Sequence, residues 1–239
     1  EMKLSAHELG WRALNDEVRE ANEDIIINDC YGERFIGDGA SAKTITINGT
    51  PGNALGAYLD GATIIVNGNA QDAVGDTMND GKIIINGNAG DALGYAMRGG
   101  KIFVKGNAGY RTGIHMKEYK DKKPVLVVGG NTGSFLGEYL AGGLIIVLGL
   151  EEDEFPAGNF VGTGMHGGEI YIRSNKEPKN LPKQVCVNKA EKEDISKIEN
   201  ILEEFSSLFG VAMEEILSKS FYRLTPNAKN PYKQLYTEN

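Results

Sequence analysis

Apolar residues fall at a fixed interval along most of this chain. Pairs two apart begin at Ile45/Ile47 and recur as Ile64/Val66, Ile83/Ile85, Ile102/Val104, Leu126/Val128, Ile145/Val147 and Ile170/Ile172. The first four starts are 19 residues apart; five extra residues precede Leu126 and six precede Ile170, and a degenerate copy begins at Ile25. Residues two apart share one face of a strand, so each copy predicts a short strand with an inward apolar face. Two further apolar columns follow the strand, Leu55, Val74, Leu93, Thr112, Leu136, Val161 and then Leu59, Met78, Met97, Met116, Leu140, Met165. One such repeat cannot bury its apolar face alone; copies stacked above and below complete the core.

The repeat explains the composition. Glycine is 32 of 239 residues, about 13% against an ordinary 7% or so. With only 7 prolines, the chain is neither collagen-like nor a disordered Pro/Gly segment. Two glycine columns run through the repeat, Gly56, Gly75, Gly94, Gly113, Gly137, Gly162 and Gly49, Gly68, Gly87, Gly106, Gly130, Gly149. Glycine inside an element costs about 0.5–1 kcal/mol relative to alanine, so a stacked column predicts positive φ or close backbone approach at each corner. Asn48, Asn67 and Asn86 precede glycine; they fit left-handed turn positions, and stacked they can hydrogen-bond along the axis. The steps of eight and four from Ile47 to Leu55 to Leu59 break the six-residue beat of a left-handed hexapeptide helix. The expected fold is all-β dominated: a single-stranded, right-handed parallel β-helix of about seven coils over residues 25–175.

The ends differ from this body. In residues 1–24, Ser5 and Glu8 have capping-box spacing, and Leu9, Ala13, Leu14 and Val18 predict a helix that caps the first coil. In residues 176–239, Ile195, Ile198, Ile201, Leu202, Phe205, Leu208 and Phe209 predict an amphipathic helix. Gly210 interrupts it, a short helix follows through Leu217, and FYRLTPNAKNPYKQLY is an extended tail packed on this chain or on a partner.

Chemistry is sparse. A net charge of −8 without a dense basic run argues against nucleic acid and anionic membrane as partners. No apolar run reaches bilayer length and the N-terminal stretch lacks a secretory core, which points to the cytoplasm. Cys30 and Cys186 are isolated; they read as reduced thiols and cannot hold an iron–sulfur cluster or structural zinc by themselves. His7 reads as a surface residue, and His115 and His166 read as turn histidines rather than ligands. The acidic run Glu151–Glu154 reads as a solvated loop. The G-x-x-G-x-x-x-G segments lack the long helix that a dinucleotide-binding turn requires. No catalytic, cofactor-binding or metal-binding residue is assigned. The informative surface is the outward strand column, Ile26, Thr46, Ile65, Ile84, Phe103, Val127, Ile146 and Tyr171. An apolar stripe needs cover, from the C-terminal helix or from another protein. The insertions near Lys117–Lys123 and Glu151–Asn159 project as partner-contact loops.

With these motifs assembled, the chain resembles the C-terminal GXGXG domain of the glutamate synthase large (alpha) subunit, in a separately encoded form. The resemblance rests on the G-x-x-G-x-x-x-G repeats, RTGIHMKEYKDKKPVLVVGG (111–130), FLGEYLAGGLIIVLGL (135–150) and GTGMHGGEIYIR (162–173). It implies a right-handed β-helix without catalytic residues. It further implies partners that carry the chemistry of turning glutamine and 2-oxoglutarate into glutamate. These are an amidotransferase protein and an FMN and iron–sulfur protein, so both cofactors are expected on other chains. A homo-oligomer is a further option. The repeat also resembles a structural subunit of formylmethanofuran dehydrogenase, a molybdenum or tungsten enzyme. A third reading is a free-standing binding module that uses the apolar stripe.

Overall fold

The computed structural model describes residues 1–227; the predicted tail beyond Asn227, with Pro231, Tyr232 and Tyr236, lies outside them. Eleven strands form one mixed sheet, with few helices. In chain order the elements are β1 (Met2–Ser5), α1 (Ala6–Glu20), β2 (Ile25–Tyr31), β3 (Thr44–Thr50), β4 (Asp60–Asn67), β5 (Asp80–Ile85), β6 (Lys101–Val104), β7 (Val125–Val128), β8 (Ala141–Val147) and β9 (Gly167–Arg173). The C-terminal segment adds β10 (Val185–Lys189), α2 (Lys192–Phe209), α3 (Met213–Ile216) and β11 (Phe221–Pro226). The sheet order is β1-β2-β3-β4-β5-β6-β7-β8-β9-β11-β10, parallel from β1 to β9.

The register follows the sequence columns. Ile45 pairs with Ile64, Ile64 with Ile83, Ile83 with Ile102, Ile102 with Leu126, Leu126 with Ile145 and Ile145 with Ile170. Both insertions are therefore accommodated between strands without shifting the pairing. All three inward columns are buried in one core, each residue at most 3% exposed. Thr112, the polar member, donates its hydroxyl to the Gly109 carbonyl at 3.2 Å, which offsets the penalty of burying it.

Successive repeats are also bonded away from the strands. The column glycines Gly75, Gly94 and Gly162 donate N–H to Leu55, Val74 and Leu136 of the preceding repeat at 2.8 Å. The residues two positions before them donate forward: Ala54 to Asp72 O and Ala73 to Asp91 O at 2.9 Å. Each glycine of the Gly56–Gly162 column is left-handed, with φ between 64° and 72°. A Cβ on Gly56, Gly94 or Gly137 would lie 2.7, 2.6 and 2.6 Å from a δ-methyl of Ile83, Leu126 or Ile170, respectively. Positive φ and close approach therefore both apply at this corner.

Asn48, Asn67 and Asn86 are not left-handed; Asn48 lies within β3 and Asn67 ends β4. They form the axial ladder instead: Asn48 Nδ2 donates to Asn28 Oδ1 at 2.8 Å, Asn67 to Asn48 at 2.9 Å and Asn86 to Asn67 at 3.2 Å. Most left-handed non-glycine residues sit two positions before or after a corner glycine, as at Ala54, Tyr58, Arg111, His115, Phe135 and Tyr139; Asp29, Ala42, Lys120 and Asn180 lie elsewhere.

The ends close the structure in ways that apolar spacing did not predict. The Ser5 side chain makes no cap bond to α1; its hydroxyl lies 3.4 Å from Asp29 Oδ2. Ser5 is already paired with Asn28 as the last residue of β1, so the sheet claims it first. Strand β1 takes the sheet edge, while Leu14 and Val18 of α1 pack on the end of the core. Lys43 donates to the carbonyls of Val18 (2.9 Å) and Ala21, closing the C-terminal end of α1 with a cation. At the other end, the start of the predicted extended tail is β11, inserted antiparallel between β9 and β10. Its pairing satisfies the last repeat's open edge, and its two buried residues face opposite ways, Leu224 into the repeat core and Phe221 under the α2 cover.

Candidate interaction surfaces

The outward column follows the register as Ile26, Thr46, Ile65, Ile84, Phe103, Val127, Ile146 and Tyr171. From Phe103 onward it is fully buried, under Ile198, Leu202 and Phe205 of α2, Ile216 of α3 and Phe221. Ile26, Thr46 and Ile65 remain half-buried. The covering helix is amphipathic as its spacing predicts, and Gly210 ends it in a left-handed cap, φ 67°. Gly129 makes room for it: a Cβ there would meet Phe205 Cζ at 2.7 Å.

Ionic contacts fix the cover in place. Glu204 of α2 pairs with Lys82 and with Lys101 (2.6 Å) on the sheet. Burial by itself raises the Glu204 carboxyl, but hydrogen bonds and charge from Lys101 and Lys82 outweigh it and hold the group below its ordinary value. Arg223 of β11 donates to Glu169 of β9 at 2.8 Å, and that pair likewise overcomes burial to lower the Glu169 carboxyl. Arg173, 3% exposed, donates to Ile216 O (2.7 Å), Glu215 O (2.8 Å), Leu148 O (3.1 Å) and Ser218 Oγ (3.0 Å). It satisfies the carbonyls at the end of α3 and ties them to β8.

The residues singled out from sequence are scattered. His7 is exposed on α1. His115 is exposed and stacks on Tyr139, centroids 5.0 Å apart, while His166 Nδ1 lies 3.1 Å from Gly164 O. Among the described residues no group of three His, Cys, Asp or Glu could hold a metal ion. Asp153 pairs with Lys219 at 3.0 Å and Glu154 with Lys176 at 2.7 Å, so part of the acidic run fastens its loop to the C-terminal segment. Cys30 is buried in β2, and burial, then a hydrogen bond to Glu33, pushes its thiol up to about 12; it is an inert thiol. Cys186 lies against Asn227 Oδ1 in β10, near the opposite end of the sheet.

One surface was not singled out from sequence. The left-handed corner carries two side-chain stacks that run from repeat to repeat. Arg111 lies 4.7 Å over the Phe135 ring, which stacks on Phe160 at 5.1 Å. Four residues along, Tyr95 meets His115 edge-on at 5.9 Å and His115 stacks on Tyr139. Arg111 Nε is 3.2 Å from Glu138 Oε2. These columns mix alanine with aromatics, so they form no uniform apolar ladder. The signal available was the recurrence of Tyr and Phe within two residues of the column glycine.

Comparisons with known proteins agree on the repeat. The GXGXG motif family matches residues 21–229. MJ1350, an uncharacterized protein of Methanocaldococcus jannaschii, is 43% identical over 252 residues, covering 99% of this chain and 97% of that one. A chain of the X-ray crystal structure of the formyltransferase/hydrolase complex (FhcABCD) from Methylorubrum extorquens in complex with methylofuran superposes with a TM-score of 0.60 at 19% identity. That match covers 79% of this chain and 69% of the other, and it is a likeness of fold. Among the described residues no helix is long and apolar enough to cross a membrane. With its glycine columns placed and its length matched, the chain belongs to the GXGXG motif family, that of the C-terminal domain of the glutamate synthase large subunit.

Proposed function

We propose that this chain is a non-catalytic scaffold of a glutamate synthase-type complex in the cytoplasm. It holds an amidotransferase protein and an FMN and iron–sulfur protein that together turn glutamine and 2-oxoglutarate into glutamate. The architecture is read as a right-handed, single-stranded parallel β-helix of about seven coils. The continuous parallel register and the hydrogen bonds between repeats on both strand and corner support that reading.

The observation that carries the scaffold reading is where the perturbed carboxylates sit. Five of the six shifted carboxylates among the described residues, Asp80, Asp153, Glu169, Asp194 and Glu204, are held below their ordinary values by lysine, arginine or backbone partners, and the sixth, Asp38, is raised chiefly by burial against the opposing charge of Arg19. Each partner set of the five joins one part of the chain to another, so those shifts belong to fastenings rather than to a reacting centre. Nor do the cysteines fit a cluster: Cys30 is buried in β2 and Cys186 lies in β10, at opposite ends of the sheet order. FMN and the iron–sulfur cluster are therefore assigned to partner chains.

The purified chain is expected to be colourless, without flavin absorbance or glutaminase activity. Adding amidotransferase and FMN-domain partners should give a co-eluting, glutamate-forming complex. Bound FMN in the isolated chain would overturn the scaffold reading. A second reading, a structural subunit of a formylmethanofuran dehydrogenase-type enzyme, is favoured by the fold shared with the FhcABCD chain. The proteins that co-purify distinguish the two: amidotransferase and flavin proteins for the first, molybdopterin-type proteins for the second.

A further inference from the structure

The left-handed corner has the composition of an interface, and among the described residues only its Phe35 end meets another element, the Trp11 ring of α1 at 6.0 Å. Phe35, Tyr58, Tyr95, Tyr110, Tyr139 and Phe160 are each 38–56% exposed, and each lies within two residues of a column glycine or directly beside a left-handed position. Four of them, Phe35 (φ 61°), Tyr58 (φ 56°), Tyr139 (φ 54°) and Phe160 (φ 60°), are themselves left-handed. A bulky residue there is strained. Ala54, Ala73 and Ala92 occupy the equivalent column with the same backbone, so stacking of the repeats does not require aromatic side chains. Nothing in the packing of the described residues therefore accounts for their exposure.

Charge is equally uneven. The corner segments 53–58, 72–77, 91–96, 110–115, 134–139 and 159–164 contain no lysine. They hold Asp72, Asp76, Asp91 and Glu138 against Arg111, and the first segment of the ridge, 34–39, adds Asp38 and Arg34. Lysines gather elsewhere, at Lys82, Lys101, Lys122 and Lys123. Aromatic enrichment with lysine depletion is the signature of an interface core. One oxygen of Asp72 accepts the Asp91 N–H, and one oxygen of Asp91 accepts the Tyr110 N–H, both at 2.8 Å. Among the described residues the second oxygen of each has no partner. Arg111 on Phe135 and Phe135 on Phe160 form a stack that ends in the exposed Phe160 ring. A guanidinium suits both features, lying flat on an aromatic face and pairing with carboxylates. From Phe35 to Phe160 the ridge crosses six repeat steps, about 29 Å at roughly 4.8 Å each. That is the edge of a standard interface of about 800 Å² per partner.

We propose that this ridge docks a partner subunit of the complex, and that the partner presents arginine side chains to it. The proposal rests on the scaffold reading and names the surface that reading requires. The test uses the full chain, affinity-tagged in its native host, with p-benzoylphenylalanine placed at Tyr95, at Tyr58 or, as controls, at Ile65 and Lys120. Photo-cross-linked peptides are identified by mass spectrometry, and assembly is measured for Phe160→Ala and for Asp72→Asn with Asp91→Asn. Asparagine keeps the oxygen that accepts the backbone N–H and removes the charge, so the fold is retained. We expect cross-links from Tyr95 and Tyr58 to one identified arginine-bearing peptide. We also expect at least tenfold weaker assembly for Phe160→Ala, and weaker, less salt-sensitive assembly for the Asp pair. A complex cross-linked only from Ile65 or Lys120 would overturn the ridge and leave the scaffold reading intact. Cross-links to a second copy of this chain would also overturn the proposal, as would unchanged assembly of the Asp→Asn pair. If no complex co-purifies, the scaffold reading falls with it.

Discussion

The two halves of the outward sheet face continue one parallel register, yet one half is covered and the other open. Across β6–β9 the central column is Phe103, Val127, Ile146 and Tyr171, all fully buried beneath α2 and its neighbours. Across β2–β4 it is Ile26, Thr46 and Ile65, all half-buried. The flanking columns differ in kind. In the open half they are Thr44 and Thr63 on one side and Asn48 and Asn67 on the other. In the covered half they become Val125 and Leu144 on one side, and Gly129 and Leu148 on the other. The asparagine ladder satisfies itself along the axis and leaves a polar, finished surface. Where the ladder stops, a glycine and apolar side chains leave room and reward for a helix. A solenoid can thus assign different partners to different repeats by changing only its outward columns.

The largest effect should come from the element both halves share. Gly56, in the open half, and Gly137, in the covered half, have the same φ of 64° and the same crowding by an isoleucine δ-methyl of the repeat after next. Gly56→Val and Gly137→Val should each lose roughly 3 kcal/mol or more, from strain plus overpacking. Chemical denaturation should give similar losses for the two; a large inequality would show that the halves differ inside as well as outside.

The cover should separate the halves. Phe205→Ala empties a fully buried site and should cost about 3–5 kcal/mol, whereas Ile65→Ala in the open column should cost under about 1 kcal/mol. Melting of the two variants checks this, and limited proteolysis should release the C-terminal segment only in the first. Arg173→Met leaves the Ile216 and Leu148 carbonyls without their side-chain donor, while Glu215 O keeps Ser218, with an expected loss of about 2–3 kcal/mol. Faster amide exchange in α3 is the diagnostic readout.

The smallest effect is ionic. The folded state holds Glu204 below its ordinary value, so its contribution is fully present above about pH 4.5 and is lost as pH falls through the lowered value. A partly exposed pair of this kind contributes about 1 kcal/mol. Glu204→Gln should therefore lower the melting temperature slightly at neutral pH and converge with the parent chain once the pH has fallen below the lowered value. A constant gap down to that pH would mean that Glu204 acts through packing.

The candidate surfaces were unequally legible. The α2 cover could be anticipated because both faces announce themselves, an apolar stripe of period two and an apolar helix face of period 3.6. The corner was not, because its columns run Phe35, Ala54, Ala73, Ala92, Arg111, Phe135, Phe160 and look like noise to a search for like residues. Their common property is a backbone conformation. Left-handed geometry at alanine, arginine and phenylalanine has no sequence signature, since these residues adopt it only when hydrogen bonds to adjacent repeats over-determine it.

By itself the sequence determined the period, the three inward columns, the left-handed glycine corner and the strand register, even across two insertions. Periodic burial leaves a mark at every copy, and a one-residue slip would turn each apolar pair outward. Only the tertiary structure decided how the ends are closed. Four-residue β1 reads as the start of a helix, and β11 reads as a tail, because a short strand acquires its identity from the edge it satisfies. The structure alone also decided that Arg173 is buried as a clasp for α3, that Asn48, Asn67 and Asn86 form a ladder and not a turn, and that the aromatics of successive repeats converge on one exposed ridge. Each of these depends on contacts between residues 19 or more apart in the chain, where local sequence preference has no hold.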